Sequence, residues 1–267
     1  MTVLHATRFW GGKSALMPVG RWIASLLPTE RKATYVEPFA GMLGVLLHRP
    51  KVAIEIANDL NGRVVNWWLA VRDHREEFGR LIVNTPYSRQ LFDDYLASLD
   101  EGAPLERAVK FHLVVCASQN AGDAGAPGFG LSYTDSSPAA KMHNFANRID
   151  AISNRVRDVQ LDCRDAVEVL HRTQHVANAV IYCDPPYEAT RTEAYSVAEL
   201  DRDELFKSLQ RQQGRVAISG YGDQWDHLGW HRSELQHQIS APGIGDKVRT
   251  RTEVLWMNYK PVQQGWL

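Results

Sequence analysis

Asp184-Pro185-Pro186-Tyr187 concentrates more potential chemistry into four residues than any other stretch of this sequence. It follows "AVIYC" at 179–183, an apolar run of the length and composition of a buried strand. Proline has no N–H to give a sheet ladder, so the chain has to leave the sheet at Asp184. The two prolines fix two φ angles and leave carbonyls free to accept hydrogen bonds, while Tyr187 presents a flat ring on a stiff turn. No serine or histidine stands beside the segment to make a nucleophile–base pair, which fits hydrolysis poorly. The set suits an aromatic amine. A carboxylate and a backbone carbonyl accept its two hydrogens, the tyrosine stacks on its ring, and the lone pair is drawn out of conjugation towards a methyl sulfonium held in line. Cys183 alternates with Asp184 along the strand, so its thiol faces away and does not act as a nucleophile on a base.

A second constellation lies upstream. "EPFAGMLGV" (37–45) leaves another short apolar run and opens a helix, with Gly41 and Gly44 allowing a sharp turn and close approach to a ligand. It lacks the G-x-G-x-x-G phosphate fingerprint, so a dinucleotide is not implied. Asp59 ends the next alternating run, "VAIEIAND". There it either accepts from ribose hydroxyls or caps the helix begun by "LNGRVV". "FWGGK" (9–13) puts aromatics, glycines and a lysine near the N-terminus, more apolar surface than a free tail has use for. "DKVRTR" (246–251) carries three cations in six residues, either a solvated hairpin or a phosphate-contacting strip.

The elements that must position these groups alternate. Strand patterns at 34–39, 52–59, 159–162, 179–183 and 215–221 interleave with helical patterns at 62–83, 164–171 and 201–213. That is the signature of a largely parallel sheet. Two further runs, 234–239 and 252–259, read as a closing antiparallel pair, making seven strands with six in one sense. Residues 84–157 break the pattern. A helix at 104–119 and an amphipathic helix through Met142, Phe145, Ile149, Ile152 and Val156 flank a Gly/Pro/Ser/Asp-rich loop at 120–140, so the segment reads as a helical insertion.

Bulk properties set the limits. The chain has 267 residues, 44% hydrophobic and 23% charged, with a net charge of −1. This is a globular composition in which nucleic-acid binding would need a local basic stripe. Three scattered cysteines suggest neither a disulfide framework nor a zinc site. No apolar run reaches the roughly 18–20 residues of a membrane span, and no secretory signal pattern opens the chain.

"FWGGK", "EPFAGMLGV", "NDLN", "IYCDPPY", "AISGY" and "EVLWMNYKP" together, in this order, resemble the Dam-like (D12 class, alpha-type) adenine-N6 DNA methyltransferases, in a compact, phage-type form. The resemblance implies an α/β fold of the Rossmann-like S-adenosylmethionine-dependent methyltransferase type, with a mixed seven-stranded sheet and a helical insertion. Residues 1–83 and 158–267 would form the catalytic domain and 84–157 a target-recognition insertion. Asp184, Pro185, Pro186 and Tyr187 would be the catalytic set around a flipped adenine. Phe9, Trp10, Gly12, Lys13, Glu37, Pro38, Phe39, Gly41, Asp59, Leu60, Asp165 and Asp184 would bind S-adenosylmethionine, with no metal. Lys247, Arg249 and Arg251 would contact phosphates of double-stranded DNA. The resemblance further implies a cytoplasmic protein, bacterial or phage-encoded, of the kind found in restriction–modification, with no membrane partner; oligomeric state is not legible. Cytosine-N4 transfer, which uses the same geometry, and a non-catalytic DNA-binding protein of the same fold are the alternatives.

Overall fold

The apolar runs become the centre of a sheet. A computed structural model describes residues 4–7, 17–119, 128–133, 137–186, 200–240 and 248–261. Its strands are β1 (Thr34–Glu37), β2 (Ile54–Asn58), β3 (Gln160–Asp162), β4 (Ala179–Cys183), β5 (Arg215–Gly220), β6 (His231–Ser240) and β7 (Val248–Met257). They form one seven-stranded sheet in the order β3-β2-β1-β4-β5-β7-β6. Every residue of β1 and β4 is buried, as expected of central parallel strands covered on both faces. The first five strands pair in parallel, and β7 runs antiparallel to both β5 and β6. Six strands therefore share one sense, as expected, and the last strand in sequence is wedged inside the sheet.

Side-chain alternation divides the interior in two. Tyr35, Val180, Tyr182, Ala217 and Leu255 face one cluster, while Val36, Ile181, Cys183, Ile218 and Trp256 face the other. The first face carries α1 (Met17–Leu26), α2 (Gly62–Asp73), α3 (Arg75–Asn84), α4 (Arg89–Ala97), α5 (Pro104–Ala117), α6 (Pro138–His143) and α7 (Ile149–Val156). The second carries α8 (Ala166–Thr173) and α9 (Arg202–Gln210), each capped by an aspartate, Asp165 and Asp201. The helices of 84–157 share the first cluster with α2, around Trp67, Phe78, His112 and Phe145. Replacing a fully buried ring such as Trp67 with alanine costs ~3–5 kcal/mol in a core of this kind.

Four local expectations change. The loop leaving β1 opens no helix, only a 3₁₀ turn at Leu46–His48. The helical pattern at 62–83 is two helices. At His74 (φ −128°, ψ 28°) the chain leaves helical geometry for one residue, and Phe78 turns in to meet Trp67 edge-on at 6.1 Å. The stripe from Met142 to Val156 is buried as read, but α6, a 3₁₀ turn at Ala146–Arg148 and α7 carry it instead of one helix. Finally, α4 had no counterpart in the sequence reading, and neither did α1. Its Gly20 lies so close to the loop after β1 that a Cβ there would meet Gly44 O at 2.3 Å.

Candidate active site

The order of the sheet reverses between β1 and β4, and in open α/β sheets ligands settle in the crevice where the loops leaving two such strands diverge. The loop leaving β1 carries Gly41 and the loop leaving β4 carries Asp184, so the two constellations of the sequence face each other across that crevice.

The Gly41 loop is held from several sides. Gly41 has φ +46°, and Leu43, a buried non-glycine residue, has φ +53°, a strained conformation that costs of order 1–3 kcal/mol. The Gly41 N–H donates to Asp59 Oδ2 (2.8 Å), and its carbonyl accepts from Trp68 Nε1 (2.8 Å). Asn58, fully buried, ties three strand ends together. Its Nδ2 donates to the carbonyls of Pro38 and Arg164, both at 2.9 Å, and its Oδ1 accepts from Arg164 N at 2.8 Å. Asp59 does not cap α2; Asn61 does, accepting from Arg63 N at 3.0 Å. Asp59 instead accepts from Gly41 N and Asn61 N, one on each oxygen.

Glu37 ends β1 inside the protein, only 1% exposed. Tyr35 Oη donates to its Oε1 at 2.6 Å, and the Leu46 N–H also reaches it. Burial pushes the Glu37 carboxyl up to about 7, with the charge of Asp184 acting in the same direction and the two hydrogen bonds and Arg49 opposing it.

Across the crevice, Asp184 is half-buried and its Oδ1 accepts from Ser219 Oγ at 2.8 Å. Ser219 in turn lies 3.0 Å from Tyr182 Oη. Arg202, the first residue of α9, donates from Nη2 to the Pro186 carbonyl at 2.7 Å. That carbonyl is engaged; among the described residues none donates to the carbonyl of Pro185. Cys183 lies on the opposite face and is fully buried, which raises its thiol far above the usual range and leaves it no nucleophilic role.

Of the residues singled out from the sequence, Glu37, Pro38, Phe39, Gly41, Asp59, Leu60, Asp165, Asp184, Pro185 and Pro186 all stand on this one edge of the sheet. Phe9, Trp10, Gly12, Lys13, Tyr187 and Lys247 lie outside the described residues, as does the Arg249 side chain. Arg251 is exposed and stacks on Tyr221, its guanidinium 4.3 Å from the ring centroid, joining β7 to the residue that follows β5. Only residues 254–257 of β7 pair with β5, so 248–253 and their β6 partners run past the crevice edge as a two-stranded ribbon. Sequence reasoning missed Asn58, Trp68, Ser219, Tyr182 and Arg202. Asn58 and Ser219 sit inside the quoted motifs "NDLN" and "AISGY" without having been given a task.

The family model for D12 class N6 adenine-specific DNA methyltransferases matches residues 9–101 and 133–229. The chain belongs to this family. Among solved structures it is similar to the rRNA methyltransferase aviRa from Streptomyces viridochromogenes, with 15% sequence identity and a TM-score of 0.39 over 96% of this chain and 89% of that one. No curated protein matches it. The sheet is that of a Rossmann-like S-adenosylmethionine-dependent methyltransferase with helices added, and the enzyme transfers a methyl group from S-adenosylmethionine to adenine N6 in DNA. The family settles which amine is the acceptor, adenine N6 over cytosine N4.

The crevice fits such a donor. Among the described residues, none would come within 4 Å of a Cβ on Gly41, so they leave room beside this turn. Beside it stand half-buried Asp59, Leu60 at 40% exposure and exposed Asp165, which uses Oδ1 to cap α8. Hydroxyl acceptors, an apolar contact and a row of acids suit a cationic nucleoside. No group of three or more metal-ligating side chains occurs among the described residues, and none of their helices is long and apolar enough to cross a membrane.

Proposed function

We propose that this methyltransferase acts within a specific sequence of double-stranded DNA, on an adenine flipped into the crevice between the Gly41 and Asp184 loops. S-adenosylmethionine supplies a methyl group on a positively charged sulfur. In this reading Phe9, Trp10, Gly12 and Lys13 bind the donor, and Asp59 and Leu60 hold its ribose and adenine side together with Asp165. Glu37, Pro38 and Phe39 shape the Gly41 turn beneath it. Asp184 and the Pro185 carbonyl accept the two N6 hydrogens out of the plane of the base, and Tyr187 stacks on its ring. Desolvated acceptors at fixed positions raise the nucleophilicity of a delocalised amine, and after transfer Asp184 is placed to take the surplus proton. An amine paired inside a duplex is out of reach of such a site, which is the reason for flipping.

The β6–β7 ribbon, with Lys247, Arg249 and Arg251, contacts phosphates, and the helices of 84–157 contribute target recognition. The enzyme works in a bacterial cytoplasm, its own or a phage host's, alone or beside a restriction endonuclease. The observation that carries this reading is the placement of Gly41 and Asp184 on either side of the point where the strand order reverses.

The test is expression in a methylation-free host, with modified bases mapped by long-read sequencing. The parent chain is expected to modify adenines within one sequence context. Asp184→Ala is expected to lose at least ~10²–10³-fold in methyl transfer, with S-adenosylmethionine binding in a calorimetric titration largely kept. Turnover retained by Asp184→Ala removes Asp184 as the acceptor, and adenines modified without regard to context remove the sequence specificity.

A further inference from the structure

We propose that Ser219, itself held by Tyr182, is a positioning residue that fixes the Asp184 carboxylate for the amine. The inference rests on the reading of Asp184 as the amine acceptor and concerns what makes that acceptor stationary.

The geometry follows from strand register. Cys183 lies opposite Ile218 in the parallel β4–β5 pair, which makes Asp184 and Ser219 the next neighbours across the ladder. Alternation puts Tyr182 and Asp184 on the same face of their strand, so one hydroxyl on β5 meets both. Ser219 is fully buried and Tyr182 is 2% exposed.

Counting protons gives the chain a direction. An ionised carboxylate only accepts, so the single Ser219 hydrogen goes to Asp184 Oδ1 at 2.8 Å. The Cys183 carbonyl, at 3.4 Å, competes weakly for it. Tyr182 then donates to Ser219 Oγ, across 3.0 Å. The result is a directed run, Tyr182 to Ser219 to Asp184, ending on one oxygen of the carboxylate. Rotation about the last torsion of an aspartate is soft and two-fold, so an unheld carboxylate sweeps its oxygens through a broad arc. Fixing Oδ1 from inside the sheet sets the orientation of the whole carboxylate, one residue before the Pro185 carbonyl.

A purely structural role predicts something different. Two buried hydroxyls satisfying each other would matter for stability and leave the chemical step alone. The measurements are therefore single-turnover rate, KM for DNA, S-adenosylmethionine affinity and melting temperature, for Ser219→Ala, Ser219→Thr, Tyr182→Phe and Asp184→Asn. Ser219→Ala is expected to lower the rate by roughly 10–100-fold, the scale of a small misplacement of a reacting group, with KM and cofactor affinity changed by less than about twofold. Ser219→Thr keeps the hydroxyl and is expected to recover most of the rate. Tyr182→Phe removes one oxygen and is expected to cost about three- to tenfold. In the Asp184→Asn background, Ser219→Ala is expected to add little, because the two act as one unit.

A Ser219→Ala rate within about twofold of the parent, while Asp184→Asn is strongly impaired, overturns the inference and leaves the reading of Asp184 intact. Full activity in Asp184→Asn overturns that reading itself. A rate loss matched by lost cofactor affinity, or additive with Asp184→Asn, assigns Ser219 to the scaffold and also overturns the inference. Should Ser219→Ala not fold, the same comparison on Tyr182→Phe decides, since an unchanged rate there breaks the chain at its first link.

Discussion

Glu37 is the residue whose surroundings most clearly predict behaviour in solution. Its carboxyl rises from 4.5 to about 7 on folding, so the folded protein binds this proton more tightly than the unfolded chain does. Its contribution to stability is then complete below pH 4.5 and is lost as the pH rises to about 7. Glu37→Gln, which mimics the neutral form, is expected to remove that slope. Melting temperatures of the two proteins should diverge in favour of the variant between these pH values and run parallel above them; equal slopes throughout would mean the proton sits elsewhere. Glu37 was singled out only through the resemblance, whereas the turn at Gly41 was legible because a positive φ favours glycine. Asn58 and Ser219 were not, because an asparagine or serine acquires its task only from the register of strands far apart in sequence. Asn58 meets Arg164 across 106 residues, and Ser219 meets Asp184 across 35.

At the scale of elements, α1 is a brace for the site. Gly20 packs against the backbone of Gly44, and a methyl group there would stand 2.3 Å from the Gly44 carbonyl oxygen, so either the helix or the loop after β1 has to move. Gly20→Ala is expected to cost ~1–3 kcal/mol, visible as a melting temperature lower by several degrees. S-adenosylmethionine affinity should fall with it, because the displaced loop is the one that carries Gly41. An unchanged melting curve would show that the contact relaxes freely. The strands and most helices were legible because burial on one face imposes a period on the sequence. The breaks at His74 and around Asn144 were not, since the buried stripe continues across them while only the backbone changes direction. The helix α1 was missed although Val19, Trp22 and Ile23 are buried at helical spacing; only its glycine-against-glycine contact with the loop after β1 leaves no apolar signal.

For the whole molecule, the change of pattern at 84–157 is legible in the sequence, but the way the segment packs is not. Residues 84–157 look separable in sequence, yet their buried rings complete the core that α2 begins. The sheet is closed in a comparable way by its final strand. Removing everything from Val248 onward is expected to abolish cooperative unfolding, measured by circular dichroism on heating, because β5 and β6 would then have no strand between them; a truncated chain that melts sharply would contradict this. The position of β7 also bears on how the protein is made. A ribosome delivers this chain from its N-terminus at about 5–20 residues per second, so β1 to β5 emerge and can pair while β7 is still untranslated. Until it arrives, β5 presents an open, apolar edge, the kind of surface that invites pairing with another chain. Synthesis thus delivers the keystone after both of its neighbours, and a nascent chain stalled between β6 and β7 would be the form of this enzyme most in need of a chaperone.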